Sequence, residues 1–252
     1  IVHTNISLLD FIDYPIVQGL GTLLSHHYPT GLVMPIARRQ ELLRWAQEVP
    51  ARVILEDDYD SEFRFVGRPI PTLFSIDGGE QVVYLNTFSK TIAPSIRISF
   101  MVLPRRLLAD FRQKLGFYAC TVSAFEQYTL AQFLAGGWYE KHLSRMRKHY
   151  RQKRDAVIAA VHQSPLAPYA AITEEDAGLH FLLRLDGAPP DEVLRREAEQ
   201  RGIRLAMLSD YYQRSQDAPQ HVLVVNYTGI DLDRLPAALE RLAALWKEND
   251  HV

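Results

Sequence analysis

The sequence predicts an α/β protein, with a mostly parallel sheet in the first part of the chain and a smaller α+β unit in the last hundred or so residues. Three observations predict it. Short apolar runs, "RVILEDDYD" (52–60), "QVVYLNTFSK" (81–90) and "IRISFMVLP" (96–104), end in polar turns or proline, the texture of strands buried on both faces of a sheet. A long helical stretch follows, from residue 105 to 163. Runs of strand length then return as "GLHFLLRL", "GIRLAML" and "HVLVVNY", now separated by helical segments.

Taken in order, residues 1 to 24 carry only a weak pattern and are left unplaced. The chain opens on Ile1 rather than methionine and so reads as a piece of a longer protein. "PIARRQELLRWAQEV" has proline near a helix start and apolar Ile36, Leu42, Leu43 and Ala46 on one face. After the three strands, "RRLLADFRQKLGFY" and "SAFEQYTLAQFLAG" predict helices, and "WYEKHLSRMRKHYRQKRDAVIAAVHQ" a long one. Its Leu143, Met146, Tyr150, Val157 and Val161 form a single apolar stripe. "PDEVLRREAEQ" and "DLDRLPAALERLAALW" complete the helices. The change of texture puts the domain boundary at residue 150, dividing a partial large domain (1–149) from a small one (150–252).

Composition narrows the function. Of the 252 residues 47% are hydrophobic, and the formal net charge of -2 gives no general attraction to nucleic acid or anionic membranes. One cysteine, Cys120, excludes a disulfide within the chain and reads as a small buried apolar residue in a reducing compartment. No apolar run reaches the roughly 18 residues of a spanning helix, which predicts a soluble, cytoplasmic protein without membrane partners. The nine histidines show no metal-ligand spacing, and His26 and His27 are adjacent, so no metal is expected. Seven Lys and Arg with no acid lie between Lys141 and Arg154. They read as the solvated face of a long helix rather than a DNA-facing patch.

Chemistry concentrates in "YLNTFSKTIAPSIRISF" (84–100). Lys90 sits in a turn of small and hydroxylated residues between two apolar strands, with Arg97 seven positions on. Asp57 ends the preceding strand, so both lie at the carboxyl edge of an open α/β sheet, where ligands usually bind. A lysine amine forms a Schiff base, an aspartate holds a pyridinium nitrogen protonated, and an arginine binds phosphate bidentately. Together these make a kit for pyridoxal phosphate. Thr87 and Ser89 add hydroxyls for the phosphate, and Tyr59 a phenol for the ring oxygen. Singly each residue has a plainer role: a helix-capping acid, a surface arginine, a solvated lysine. Thr87 to Lys90 faintly echoes the Ser-x-x-Lys of penicillin-binding hydrolases, but the serine and the later Lys-Thr-Gly are missing.

"VILEDDYDSEFRFVGRPIPTL" and "VVYLNTFSKTIAPSIRISFMVLP" resemble the aminotransferase-like domain of MocR-type regulators in the GntR family, which are related to fold-type I aminotransferases. The resemblance runs from "HHYPTGLVMP" to the C-terminus. It implies Lys90 as the Schiff-base lysine, Asp57 as partner of the pyridine nitrogen, and Tyr59 as donor to the ring hydroxyl. Arg97, Thr87 and Ser89 would clamp the phosphate. "HYPTG" stands where aminotransferases carry Asn-Pro-Thr-Gly, with Tyr28 in place of the asparagine. It further implies a homodimer, an effector that is the cofactor itself or an amine or amino acid, and DNA contact only through an N-terminal winged helix that has no counterpart here. One departure matters: the arginine that binds a substrate α-carboxylate falls on Val224 of "HVLVVNY", which puts ordinary transamination in doubt. Arg184 and Arg204 are the nearest small-domain alternatives. His180 is expected either to face the cofactor cleft or to be a satisfied core histidine.

Overall fold

The computed structural model describes residues 18–22, 27–67, 70–214 and 217–249. They divide into two compact units, one holding residues 33–62 and 67–146, the other 28–32, 63–66 and the chain from 147 onward.

The first unit is built on a four-stranded sheet in the order β1 (Gln18–Thr22), β2 (Arg52–Asp57), β3 (Val82–Thr87), β4 (Ser99–Val102). β1, β2 and β3 are parallel, and β4 returns antiparallel to β3. β1 falls within the stretch that the sequence pattern left unplaced. Helix α1 (Ile36–Gln47) packs Leu43 and Ala46 against Ile54, Leu73 and Val82, while Ile36 stays exposed. On another side Val53 and Val83 meet Leu107. The two central strands are therefore apolar on both faces, which explains their runs of Val, Ile and Leu.

A short helix α2 (Leu73–Asp77), not anticipated from the sequence, fills the crossover between β2 and β3. The hydroxyl of Thr72 caps it by accepting from the Ser75 amide at 3.0 Å, and Gly78 ends it at φ +73, where a side chain is disfavoured. The buried Glu56 carboxylate accepts the Leu73 and Phe74 amides at 2.8 and 2.9 Å. Fully buried Arg39 donates to the carbonyls of Met34 and Pro71 at 3.0 and 2.6 Å. Both charges are thus held by backbone, as burial requires.

Helices α3 (Leu108–Leu115), α4 (Ala124–Ala135) and α5 (Trp138–Gln163) follow. α4 opens on a capping box in which Ser123 and Glu126 satisfy each other's amides. Cys120, in the loop before it, is exposed, contrary to the expectation of a buried thiol. Of its apolar neighbours Phe117, Tyr118 and Val122, only Val122 enters the core.

The second unit carries an antiparallel sheet, β5 (Ala170–Thr173), β6 (His180–Leu185), β7 (Val222–Asn226), with helices α6 (Asp191–Gln200) and α7 (Leu235–Asn249). "GIRLAML" is not a strand. It meets β7 through one hydrogen bond, from the Val224 amide to the Ala206 carbonyl at 2.8 Å, and a single bridge at Met207. Its place as third strand belongs to β5, whose "AAIT" lacks the branched and aromatic run that marks a strand. Of the basic run on α5, Arg151 donates to the Phe65 carbonyl and Lys153 to that of Thr228. Buried Arg154 bonds the Glu175 carbonyl and Asp155. No helix among the described residues is long and apolar enough to cross a membrane, and none of their His, Cys, Asp and Glu form a metal-binding group.

Candidate functional site

The parallel pair β2–β3 fixes the geometry of the candidate site. Asp57 is the last residue of β2 and lies in register with Leu85, so β3 continues to Thr87 before the chain turns. Asp57 and the turn holding Lys90 therefore occupy the same carboxyl edge of neighbouring strands. Asp57 is exposed, yet desolvation by the surrounding protein, then the charges of Asp58 and Asp60, raises its carboxyl above the usual range. A carboxylate that water reaches but that is poorly solvated is a strong proton holder and favours a cationic neighbour. Tyr59, half-buried, follows in the turn.

Beside it Asp58 points inward. Its carboxylate, almost fully buried, accepts the Ser61 hydroxyl at 2.7 Å and the Tyr84 phenol at 2.8 Å. Asn86 donates to the Tyr84 oxygen at 2.8 Å and to Glu62 at 3.3 Å, and its own oxygen accepts the Thr87 amide at 2.5 Å. Burial pushes the carboxyl of Glu62 up and the phenol of Tyr84 far above its ordinary value. This network is not among the features the sequence pattern predicts. Tyr84 and Asn86 alternate on an otherwise apolar strand, and polar residues in a strand covered on both faces were the available signal.

The turn itself is tightly tied. Ser89 donates its hydroxyl to the Ile96 carbonyl at 2.5 Å, and Thr87 to that of Ile98 at 3.2 Å, while the Ser89 amide donates to Thr87 Oγ1 at 3.1 Å. The Ile92 amide closes back on Phe88 at 2.9 Å. Phe88 and Ile98 anchor the two ends in an apolar cluster with Val122 and Leu130. From this scaffold Lys90 and Arg97 project into solvent, with no hydrogen bond or ion pair to any described residue. An unpaired amine and an unpaired guanidinium on one turn, beside a carboxylate on the next strand, fit a phosphorylated aldehyde with a basic ring nitrogen.

Tyr28 belongs to the second unit. Its hydroxyl lies 2.5 Å from that of Tyr211, and its ring stands edge-on to His180 and Tyr211 at 5.1 and 5.3 Å. Burial, then the bond to Tyr211, pushes the Tyr28 phenol up to about 12. His180 is buried and bonds the Pro29 carbonyl at 3.0 Å, which makes it a satisfied core histidine. Val224 is buried with Leu208, Val222 and Leu182, an apolar cluster with no cation in it. Arg184 is exposed and paired with Asp186 at 3.0 Å; Arg204 is exposed.

The sequence pattern of the family described as "Aminotransferase class I and II" matches residues 23–247. The chain belongs to the aminotransferase class I and II family. Within it, this family member is similar to the "Uncharacterized HTH-type transcriptional regulator YdeL" of Bacillus subtilis, at 38% identity over 88% of this chain and 47% of the relative. It is also similar to the "Probable rhizopine catabolism regulatory protein MocR" of Rhizobium meliloti, at 37% identity over 82% of this chain and 41% of the relative. Among solved structures it resembles the kynurenine aminotransferase of Pyrococcus horikoshii, crystallised with PMP, at 27% identity and a TM-score of 0.78 over 94% of this chain and 57% of that one. The chain thus spans about half the length of the curated relatives it matches. The fold-type I aminotransferase-like architecture, partial in its large domain, is the one its sequence predicted.

Proposed function

We propose that this chain is the pyridoxal-phosphate-binding, effector-sensing domain of a bacterial transcriptional regulator of the MocR type. The observation that carries the reading is the exposed, unpaired Lys90 and Arg97 on one turn, next to Asp57 on the adjacent parallel strand, in a family member similar to HTH-type regulators. In this reading Lys90 holds the cofactor covalently, Asp57 keeps a proton on its ring nitrogen, and Arg97 pairs its phosphate. Tyr59 donates to the ring oxygen, and Thr87 and Ser89 face the phosphate. When bound, the cofactor supplies an electrophilic carbonyl and an electron-withdrawing ring. Residues 1–149 form the cofactor-carrying part, the effector is the cofactor or an amine or amino acid, and DNA is bound by a separate winged helix.

A homodimer in the cytoplasm belongs to the same reading. Phe117, Phe125 and Tyr128 are 76%, 80% and 73% exposed, and Phe125 lines a recess of about 230 Å³ with Ile92, Ile96 and Phe133. Aromatic surface of that kind supports self-association.

The test is covalent capture. Pyridoxal phosphate added to the purified chain and reduced with borohydride should remain on the peptide containing Lys90, and Lys90→Ala should lose it. Capture elsewhere, or undiminished capture by the variant, overturns the assignment.

A further inference from the structure

Helix α5 grips the lysine turn at two points. Its residues Tyr139 and His142 are three apart and share a face. The Tyr139 ring stands edge-on to Phe88 at 5.8 Å, and His142 Nε2 lies 3.0 Å from the carbonyl of Thr91. Phe88 and Thr91 bracket Ser89 and Lys90, so the helix holds the residue before and the residue after the segment that carries the amine. A carbonyl only accepts, so the hydrogen of this bond sits on Nε2 of His142, which fixes the tautomer when the ring is neutral. Thr91 is fully buried and its carbonyl faces the helix rather than solvent. The opposite end of the turn is pinned separately by the Asn86 side chain on the Thr87 amide.

We infer that His142 is a positioning residue for Lys90, holding the Thr91 carbonyl so that the turn presents the amine in one orientation. The inference rests on the reading of Lys90 as the cofactor lysine. Losing a single neutral hydrogen bond of this kind weakens the arrangement it supports by about fivefold. His142→Leu should therefore bind pyridoxal phosphate about fivefold more weakly, with a matching rise in amide hydrogen exchange at residues 88–92. His142→Gln, whose Nε2 reaches a similar place, should restore both. The experiment measures exchange on the full chain without cofactor, and cofactor affinity by absorbance titration, for wild type and the two variants. Unchanged exchange in His142→Leu overturns the inference whether or not the cofactor binds. So does a Gln variant as impaired as the Leu variant, since bulk rather than the bond would then be at work. Absence of Lys90-bound cofactor in the wild type overturns the functional reading instead, and the inference with it.

Discussion

The phenol of Tyr84 on β3 donates to the buried carboxylate of Asp58 across the β2–β3 pair at 2.8 Å. Removing it leaves Asp58 one donor short and takes from Asn86 an acceptor. Tyr84→Phe should therefore lower folding stability by about 1–3 kcal/mol, the range for an unsatisfied buried polar group. Urea unfolding of both proteins checks it, and an unchanged midpoint would show that water replaces the phenol.

Adjacent aspartates should separate fold from ligand. Asp57 is exposed and bonds no described side chain, whereas Asp58 is 1% exposed and takes two hydroxyls. Asp57→Ala should weaken pyridoxal phosphate binding while leaving the melting temperature near wild type. Asp58→Ala should do the reverse, lowering it by several degrees. Equal effects of both substitutions on both measurements would mean that the register of "EDDYD" has been misjudged.

Glu62 gives a pH dependence. Burial, with the nearby Asp58 and Asp60 charges, raises its carboxyl in the folded state. The folded chain then keeps a proton that the unfolded chain has released, so this group's contribution is full below the ordinary glutamate value of about 4.3 and falls as pH climbs through the raised one. Glu62→Gln removes the titration. Its urea midpoint should exceed that of wild type at pH 7.5, and the gap should close at pH 4. A gap constant over that range defeats the argument.

Val224 sets the expected substrate behaviour. Breaking a buried guanidinium–carboxylate pair costs about 2–5 kcal/mol, or roughly one and a half to three and a half decades in affinity or rate, and where the resemblance places that arginine this chain has Val224, in an apolar cluster. Common α-amino acids at millimolar concentration should convert bound cofactor to its amine form slowly or not at all, as followed by absorbance. Steady turnover with an amino-acid and keto-acid pair would instead identify an aminotransferase.

Much of this was legible in the sequence because β2 and β3 are covered on both sides and are mostly apolar, and the ends of their apolar runs mark where the polar turns begin. β5 was not, because Ala170, Ala171, Ile172 and Thr173 are strand only through pairing with β6. "GIRLAML" had the composition of a strand but lies beside β7 with too few bonds to count as one. Spacing and residue type alone mark Lys90, Arg97 and Asp57 as candidates, and the register of β2 with β3 puts Asp57 and the Lys90 turn at one sheet edge. His142 and Tyr211 bond partners 51 and 183 positions away, which no local pattern encodes.

The hydroxyl protons of Ser89 and Thr87 are already assigned, one to each of two backbone carbonyls in the same loop. For these two side chains, capturing a phosphate is an exchange rather than an addition. Each must release Ile96 or Ile98 and leave that oxygen to water. The net gain per hydroxyl is then only the excess of a charge-assisted bond over a neutral one, about 1 kcal/mol. In the proposed site, anion selectivity at this loop would therefore rest chiefly on Arg97, since the Thr87, Phe88, Ser89 and Ile92 amides also have acceptors within the protein. Replacing the hydroxyls should loosen the loop more than it weakens the grip on the ligand.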